Sequence, residues 1–226
     1  MPARGPEIRQ FSTAAEAAAA LVDVVSAGLE RAIRSRGQAS LAVPGGTTPG
    51  TFLTLLGSRN LDWPNVSLTL TDERWVAPSS ERSNAGLVSR TFALHAEGYR
   101  WFGLWREGIA CDAAPPVLDQ ASRDLPWPLD IVVLGMGADG HIASLFPGQE
   151  AGFVPAGNAR YVAVKGPADE PRVSLRASAL IGARQLYLLI NGPQKLAILS
   201  RLPGSGLPVA RILAARPAPT SVFAGP

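Results

Sequence analysis

Three short, largely apolar segments in this chain each stop abruptly at a polar segment, and that juxtaposition constrains the fold more than any other feature. Leu41-Ala-Val43 runs into Pro44-Gly-Gly-Thr-Thr-Pro49, Val66–Leu70 into Thr71-Asp-Glu-Arg74, and Leu129–Leu134 into Gly135-Met-Gly-Ala-Asp-Gly-His141. Short, largely apolar segments bounded by turn signals read as buried strands. Tyr161–Val164, Leu186–Ile190 and Ser221–Phe223 predict further strands. Helical patterns fall between them. Thr13-Ala-Ala-Glu16 has capping-box spacing and opens a helix that Gly37 stops. Further helices are expected at Thr51–Leu56, Ser83–Phe92, Ala177–Ile181 and Gln194–Leu202. Strands alternating with helices predict an α/β fold, a mostly parallel open sheet with helices on both faces in the Rossmann-like manner. In such sheets ligands bind beyond the carboxyl ends of the strands, so the three polar segments should meet at one crevice.

Composition narrows the function classes. The 226 residues are 46% hydrophobic and 17% charged, which excludes a disordered chain and predicts one domain over 1–226. Only two of the 21 basic residues are lysines, Lys165 and Lys195, and no basic run marks a nucleic-acid partner. Two histidines, His95 and His141, are too few for a multi-histidine metal site, and the lone Cys111 forbids an internal disulfide. Glu16 and Asp23 interrupt the alanine-rich stretch from Ala14 to Gly28, so no membrane span or signal core is expected there. The expectation is a cytoplasmic chain without membrane attachment; no protein partner is indicated.

The polar segments carry the chemistry. Gly45-Gly46-Thr47-Thr48 follows a strand and opens a helix, an arrangement that lets backbone amides and hydroxyls approach an anion such as phosphate. It is neither a Walker loop nor a dinucleotide fingerprint, which disfavours ATP and NAD. His141 follows a flexible turn holding Asp139, and histidine suits proton transfer near neutrality. Arg74 suits a clamp on phosphate or carboxylate oxygens, and Lys195 stands at a helix start, where its charge gains nothing from the dipole. Plain turns, solvated loops and a backbone-satisfied histidine are the structural alternatives. His95, Ser144 and Cys111 sit in no motif that would make them reactive.

Four segments together resemble 6-phosphogluconolactonases of the glucosamine-6-phosphate isomerase/6-phosphogluconolactonase family: Pro44–Pro49, Thr71–Val76 with Ser83-Asn84, Gly135–Pro147, and Arg172-Val-Ser-Leu through Gly192-Pro-Gln-Lys195. The resemblance implies the deaminase-like fold of that family. It implies hydrolysis of 6-phosphoglucono-δ-lactone in the pentose phosphate pathway, without a cofactor or a metal. It further implies His141 as general acid/base supported by Asp139, with phosphate contacts at Gly45, Gly46, Thr47, Arg172 and Lys195. Arg74 matches a residue lining the substrate; Asp72 and Asn84 fall in the same motifs as substrate-binding candidates. Thr47 stands where serine is usual, and Ile142 where these lactonases more often have threonine. The deaminase/isomerase branch resembles Gly-His-Ile-Ala-Phe-Asn-Glu-Pro and Asp-Glu-Tyr. This chain instead has Ser144-Leu-Phe-Pro147 and Asp72-Glu-Arg74, which favours the lactonase. A non-catalytic sugar-phosphate sensor is the alternative of another class.

Overall fold

A computed structural model describes residues 6–46, 48–202 and 204–226. Seven strands form one parallel sheet in the order β1-β10-β9-β6-β2-β3-β5. They are β1 (Glu7–Gln10), β2 (Ala39–Val43), β3 (Val66–Leu70), β5 (Arg100–Phe102), β6 (Ile131–Leu134), β9 (Gln185–Asn191) and β10 (Ser221–Gly225). Every residue of β2, β3 and β6 is buried, including the hydroxyl residues Ser40, Ser67 and Thr69, so both faces of the central sheet are covered. The helices are α1 (Ala14–Arg36), α2 (Pro49–Gly57), α3 (Asn84–Arg90), α4 (Ala114–Ala121), α5 (Ala177–Gly182), α6 (Pro193–Leu199) and α7 (Pro208–Ala215).

Local rules account for these boundaries. The Thr13 hydroxyl accepts from the Glu16 amide at 3.1 Å, and the Glu16 carboxylate accepts from the Ser12 amide at 3.0 Å, one residue earlier than an ideal capping box. Along α1, Ala17, Leu21, Val25 and Leu29 are buried at helical spacing. Although α1 has 23 residues, no helix among the described residues is long and apolar enough to cross a membrane. Pro49 opens α2, where a missing amide proton costs nothing.

The structure departs from the sequence expectation at Thr71-Asp-Glu-Arg74. Asp72–Arg74 is not a loop but strand β4, in a second, antiparallel sheet ordered β4-β8-β7 with β8 (Pro171–Leu175) and β7 (Tyr161–Lys165). Thr71 is the hinge between sheets: its amide donates to the Val43 carbonyl at 3.0 Å, and its carbonyl accepts from the Leu175 amide at 2.8 Å. This small sheet is set beyond the carboxyl ends of β2 and β3.

From β2 the chain proceeds to β3 and β5 on one side, whereas β6, β9 and β10 lie on the other. The boundary between β2 and β6 is therefore the switch point of the sheet, where the loops leaving adjacent strands diverge and open a crevice. The Gly45-Gly46 segment leaves β2 there, and the Gly135–His141 segment leaves β6.

Candidate active site

One cleft at that switch point is lined by Pro44, Gly45, Gly46, Thr48 and Pro49 after β2, by Asp72, Arg74 and Asn84, by Gly135, Met136, Gly137, His141 and Ala143 after β6, and by Arg172 and Lys195. Nine of the ten residues singled out from sequence are thus described, and eight of them line one cleft; Asp139 supports it through His141. Thr47 lies outside the described residues.

The turn after β6 builds a His–Asp pair. The Gly137 amide donates to the His141 carbonyl at 2.9 Å, closing the loop so that residues 139 and 141 face each other. Asp139 Oδ1 then accepts from the His141 amide at 3.1 Å and lies 2.6 Å from His141 Nδ1. A carboxylate at Nδ1 calls for the proton on that nitrogen and leaves the Nε2 lone pair for the cleft. Nε2 makes no hydrogen bond within the described residues. Burial pushes the Asp139 carboxyl up, but the His141 amide, charge and ring outweigh it and hold the carboxyl below its ordinary value. Gly137 makes the pair possible: a Cβ there would collide with the His141 ring and lie 2.6 Å from Asp139 Oδ1.

Opposite the histidine sits a cationic wall. Arg74 on β4 and Arg172 on β8 are direct cross-strand partners, a pairing of like charges that costs stability unless an anion intervenes. Arg172 is held by Glu170 Oε2 at 2.9 Å from Nε and 2.6 Å from Nη2, and Glu170 also pairs with Arg82. Arg74 Nη1 donates to the Arg82 carbonyl at 2.5 Å, while its buried Nε has no partner among the described residues. Burial, then the charge of Arg172, lower the Arg74 guanidinium below its ordinary value. Lys195, at the start of α6, is also lowered by burial. Phe146 bridges the two halves, its ring 4.7 Å from that of His141 and 5.6 Å from the Arg172 guanidinium carbon.

The remaining acids play different parts. Glu73 is fully buried and accepts from the amides of Arg74, Asn84 and Ala85, each at 2.8 Å, and from the Ser83 hydroxyl at 3.0 Å. It therefore ties β4 to the N-terminus of α3, and burial holds its carboxyl above the ordinary range despite those bonds. Asn84 donates to the Asp72 carbonyl at 2.8 Å and packs against Gly45 so closely that a Cβ at 45 would collide with it. Asp72 accepts from the Ser144 hydroxyl at 2.5 Å and from the Thr71 hydroxyl at 3.2 Å. Sequence alone gives no sign of the contacts of Ser144 with Asp72, Phe146 with Arg172, Glu73 with Asn84 and Glu170 with Arg82, because the partners are remote in the chain. Among the described residues no group of three or more His, Cys, Asp or Glu could hold a metal ion.

An imidazole with an oriented free nitrogen, facing a cluster of cations across an open cleft, suits proton transfer on an anionic substrate. Comparisons with known proteins point the same way. Residues 12–221 match the family model described as glucosamine-6-phosphate isomerases/6-phosphogluconolactonase. A 6-phosphogluconolactonase of Mesorhizobium japonicum is 40% identical over 223 residues, covering 96% of this chain and 94% of that protein. One of Pseudomonas aeruginosa is 38% identical, covering 87% and 84%. The crystal structure of a 6-phosphogluconolactonase from Shewanella baltica superposes with a TM-score of 0.93 at 32% identity, covering both chains completely. A monomeric glucosamine-6-phosphate deaminase shares the fold at a TM-score of 0.80 and 17% identity, covering 97% of each chain.

Proposed function

This chain belongs to the glucosamine-6-phosphate isomerase/6-phosphogluconolactonase family, and we propose that it works as a lactonase through His141. The enzyme hydrolyses 6-phosphogluconolactone to 6-phosphogluconate in the pentose phosphate pathway, the activity in the names of its relatives. The observation that carries our mechanism is the 2.6 Å contact between Asp139 and His141 Nδ1, in a cleft shared with Arg74, Arg172 and Lys195.

Neutral His141 takes a proton through Nε2 from the water that attacks the lactone carbonyl carbon. The carbonyl π electrons move to oxygen, and the Arg74 guanidinium or the amides of the Gly135 loop stabilise that oxyanion. As the tetrahedral intermediate collapses, the C–O bond to the ring oxygen breaks and the imidazolium returns its proton to that oxygen. Asp139 orients the ring and supports its transient positive charge. Acid–base work of this kind contributes about 10²–10⁴-fold. Arg172, Lys195 and the backbone of Gly45 and Gly46 hold the phosphate, so that binding energy far from the ester fixes the reacting geometry. Thr47 would add its hydroxyl, and Asn84 braces the loop from behind. No cofactor enters this sequence of steps. We place the reaction in the cytoplasm, where charge retains phosphorylated sugars, with the sugar-phosphate lactone as the partner the cleft calls for; nucleic acid is not one.

The test is hydrolysis of freshly generated 6-phosphogluconolactone by wild type and His141→Ala at matched thermal stability. His141→Ala should lose about 10²-fold or more of kcat; unchanged turnover would remove His141 from the mechanism. Arg172→Ala and Lys195→Ala should chiefly raise KM, and a pure kcat defect would contradict their assignment to the phosphate.

A further inference from the structure

Among the described residues, every charged side chain lining the cleft is a cation or the imidazole except one, Asp72. Cations serve the phosphate end of a sugar phosphate, but guanidinium and ammonium groups only donate hydrogen bonds. The lactone ring carries hydroxyls that are donors as well as acceptors, and those donors need an acceptor in the wall. Asp72 has capacity to spare. A carboxylate offers about four lone-pair sites, and within the described residues only two are taken, by the Thr71 and Ser144 hydroxyls.

The carboxylate is also rigidly aimed. Its backbone lies in β4, registered against Ser174 of β8, and Asn84 Nδ2 donates to its carbonyl at 2.8 Å. Its side chain takes direction from Ser144, whose hydroxyl donates to Oδ2 at 2.5 Å. Ser144 is itself fixed by its amide, which donates to Ser174 Oγ at 3.2 Å, and by the preceding Ala143, held in the left-handed region at φ 47°. A non-glycine residue in that conformation is strained and persists only where its surroundings impose it. Ser144 is fully buried, so its hydroxyl acts on the carboxylate and not as a nucleophile.

We propose that Asp72 reads a ring hydroxyl of the lactone and is the specificity-determining residue of the cleft, with Ser144 as the positioning residue that aims it. The proposal rests on the lactonase reading above, since it concerns which lactones that reaction accepts. It deepens the assignment of Asp72 from a residue in the wall to an acceptor for substrate hydroxyl, distinct from the phosphate contacts.

The experiment compares 6-phosphogluconolactone with its three analogues lacking the hydroxyl at C2, C3 or C4, mixed pairwise so that competition reads the ratio of kcat/KM. Such ratios do not depend on the active fraction of a variant. Wild type should prefer the parent over at least one analogue by about 10- to 100-fold, the range of a hydrogen bond to a charged group. Asp72→Asn should compress that preference to within about threefold, and Ser144→Ala should fall between, because its carboxylate remains but is no longer aimed. Inhibition by inorganic phosphate should stay at the wild-type constant in Ser144→Ala, which keeps the carboxylate charge. A wild type indifferent to all three hydroxyls, or an Asp72→Asn variant that keeps the wild-type ratios, would overturn the proposal while leaving the lactonase reading intact. A wild type that hydrolyses none of the four would overturn both.

Discussion

Replacing Gly137 with alanine probes the His141–Asp139 pair without removing either member. The added Cβ would collide with Cε1 and Nδ1 of the imidazole and lie 2.6 Å from Asp139 Oδ1. Carbon atoms rest comfortably at about 3.5–4.0 Å, so the ring must retreat by roughly an ångström or more. The 2.6 Å contact at Nδ1 cannot survive that retreat, and Nε2 loses its aim. A misplacement of about 1 Å in a positioned group costs on the order of 10²-fold in rate. Little else should change. Gly137 is not among the glycines in the left-handed region, and its amide bond to the His141 carbonyl involves backbone alone. The colliding ring is a side chain only partly buried, 28% exposed, with room to rotate. Stability should therefore fall by no more than about 1 kcal/mol. In a lactonase assay followed by proton release, Gly137→Ala should lower kcat by about 10²-fold with KM within about threefold of wild type, because the cations are undisturbed. A variant that folds normally and turns over within about threefold of wild type would refute the claim that this alignment matters.

Other expectations follow from the same geometry. Burial lowers the Lys195 ammonium, so affinity for 6-phosphogluconate, measured by calorimetry, should weaken on the alkaline side at a pH below the ordinary lysine value of 10.5; Lys195→Arg should remove that inflection if it retains binding. Cys111 is pushed up to about 11, by burial first and then by Asp112, so the native thiol should label slowly with iodoacetamide at pH 7 and rapidly only on unfolding. Asp130, at the opposite end of β6 from the cleft, accepts from the buried Ser40 amide at 2.9 Å and pairs with Arg36 at 2.5 Å. Asp130→Ala should cost about 2–3 kcal/mol in a denaturant titration by stranding that amide, with kcat of the folded enzyme unchanged.

The parts of this fold legible in the sequence are those governed by local rules. β3 is a short β-branched and leucine-bearing segment whose predicted and observed limits coincide, and α1 announces itself through Thr13, Glu16 and its apolar stripe. β5 (Arg100–Phe102) and β1 (Glu7–Gln10) are largely exposed edge strands, so no apolar run marks them. β4 is three residues of charge, and it is a strand only because β8, a hundred residues on, supplies its partner. The site divides in the same way. Glycine-rich turns after apolar runs mark Gly45, Gly46 and the His141 loop, since strand ends are where such sheets expose their ligands. The contact of Ser144 with Asp72 depends on the left-handed turn at Ala143 and on strand register, neither of which any residue pattern encodes. Lys195 was legible only as a cation in an unfavourable place.

The cross-strand pair of Arg74 and Arg172 bears on stability as well as on binding. Two guanidiniums paired across strands, one with a buried nitrogen that has no partner among the described residues, weaken the small sheet unless an anion lies between them. An anion in the cleft then acts as a missing structural part as well as a reactant. Folding and anion binding are then thermodynamically linked, and inorganic phosphate should raise the unfolding temperature of this chain.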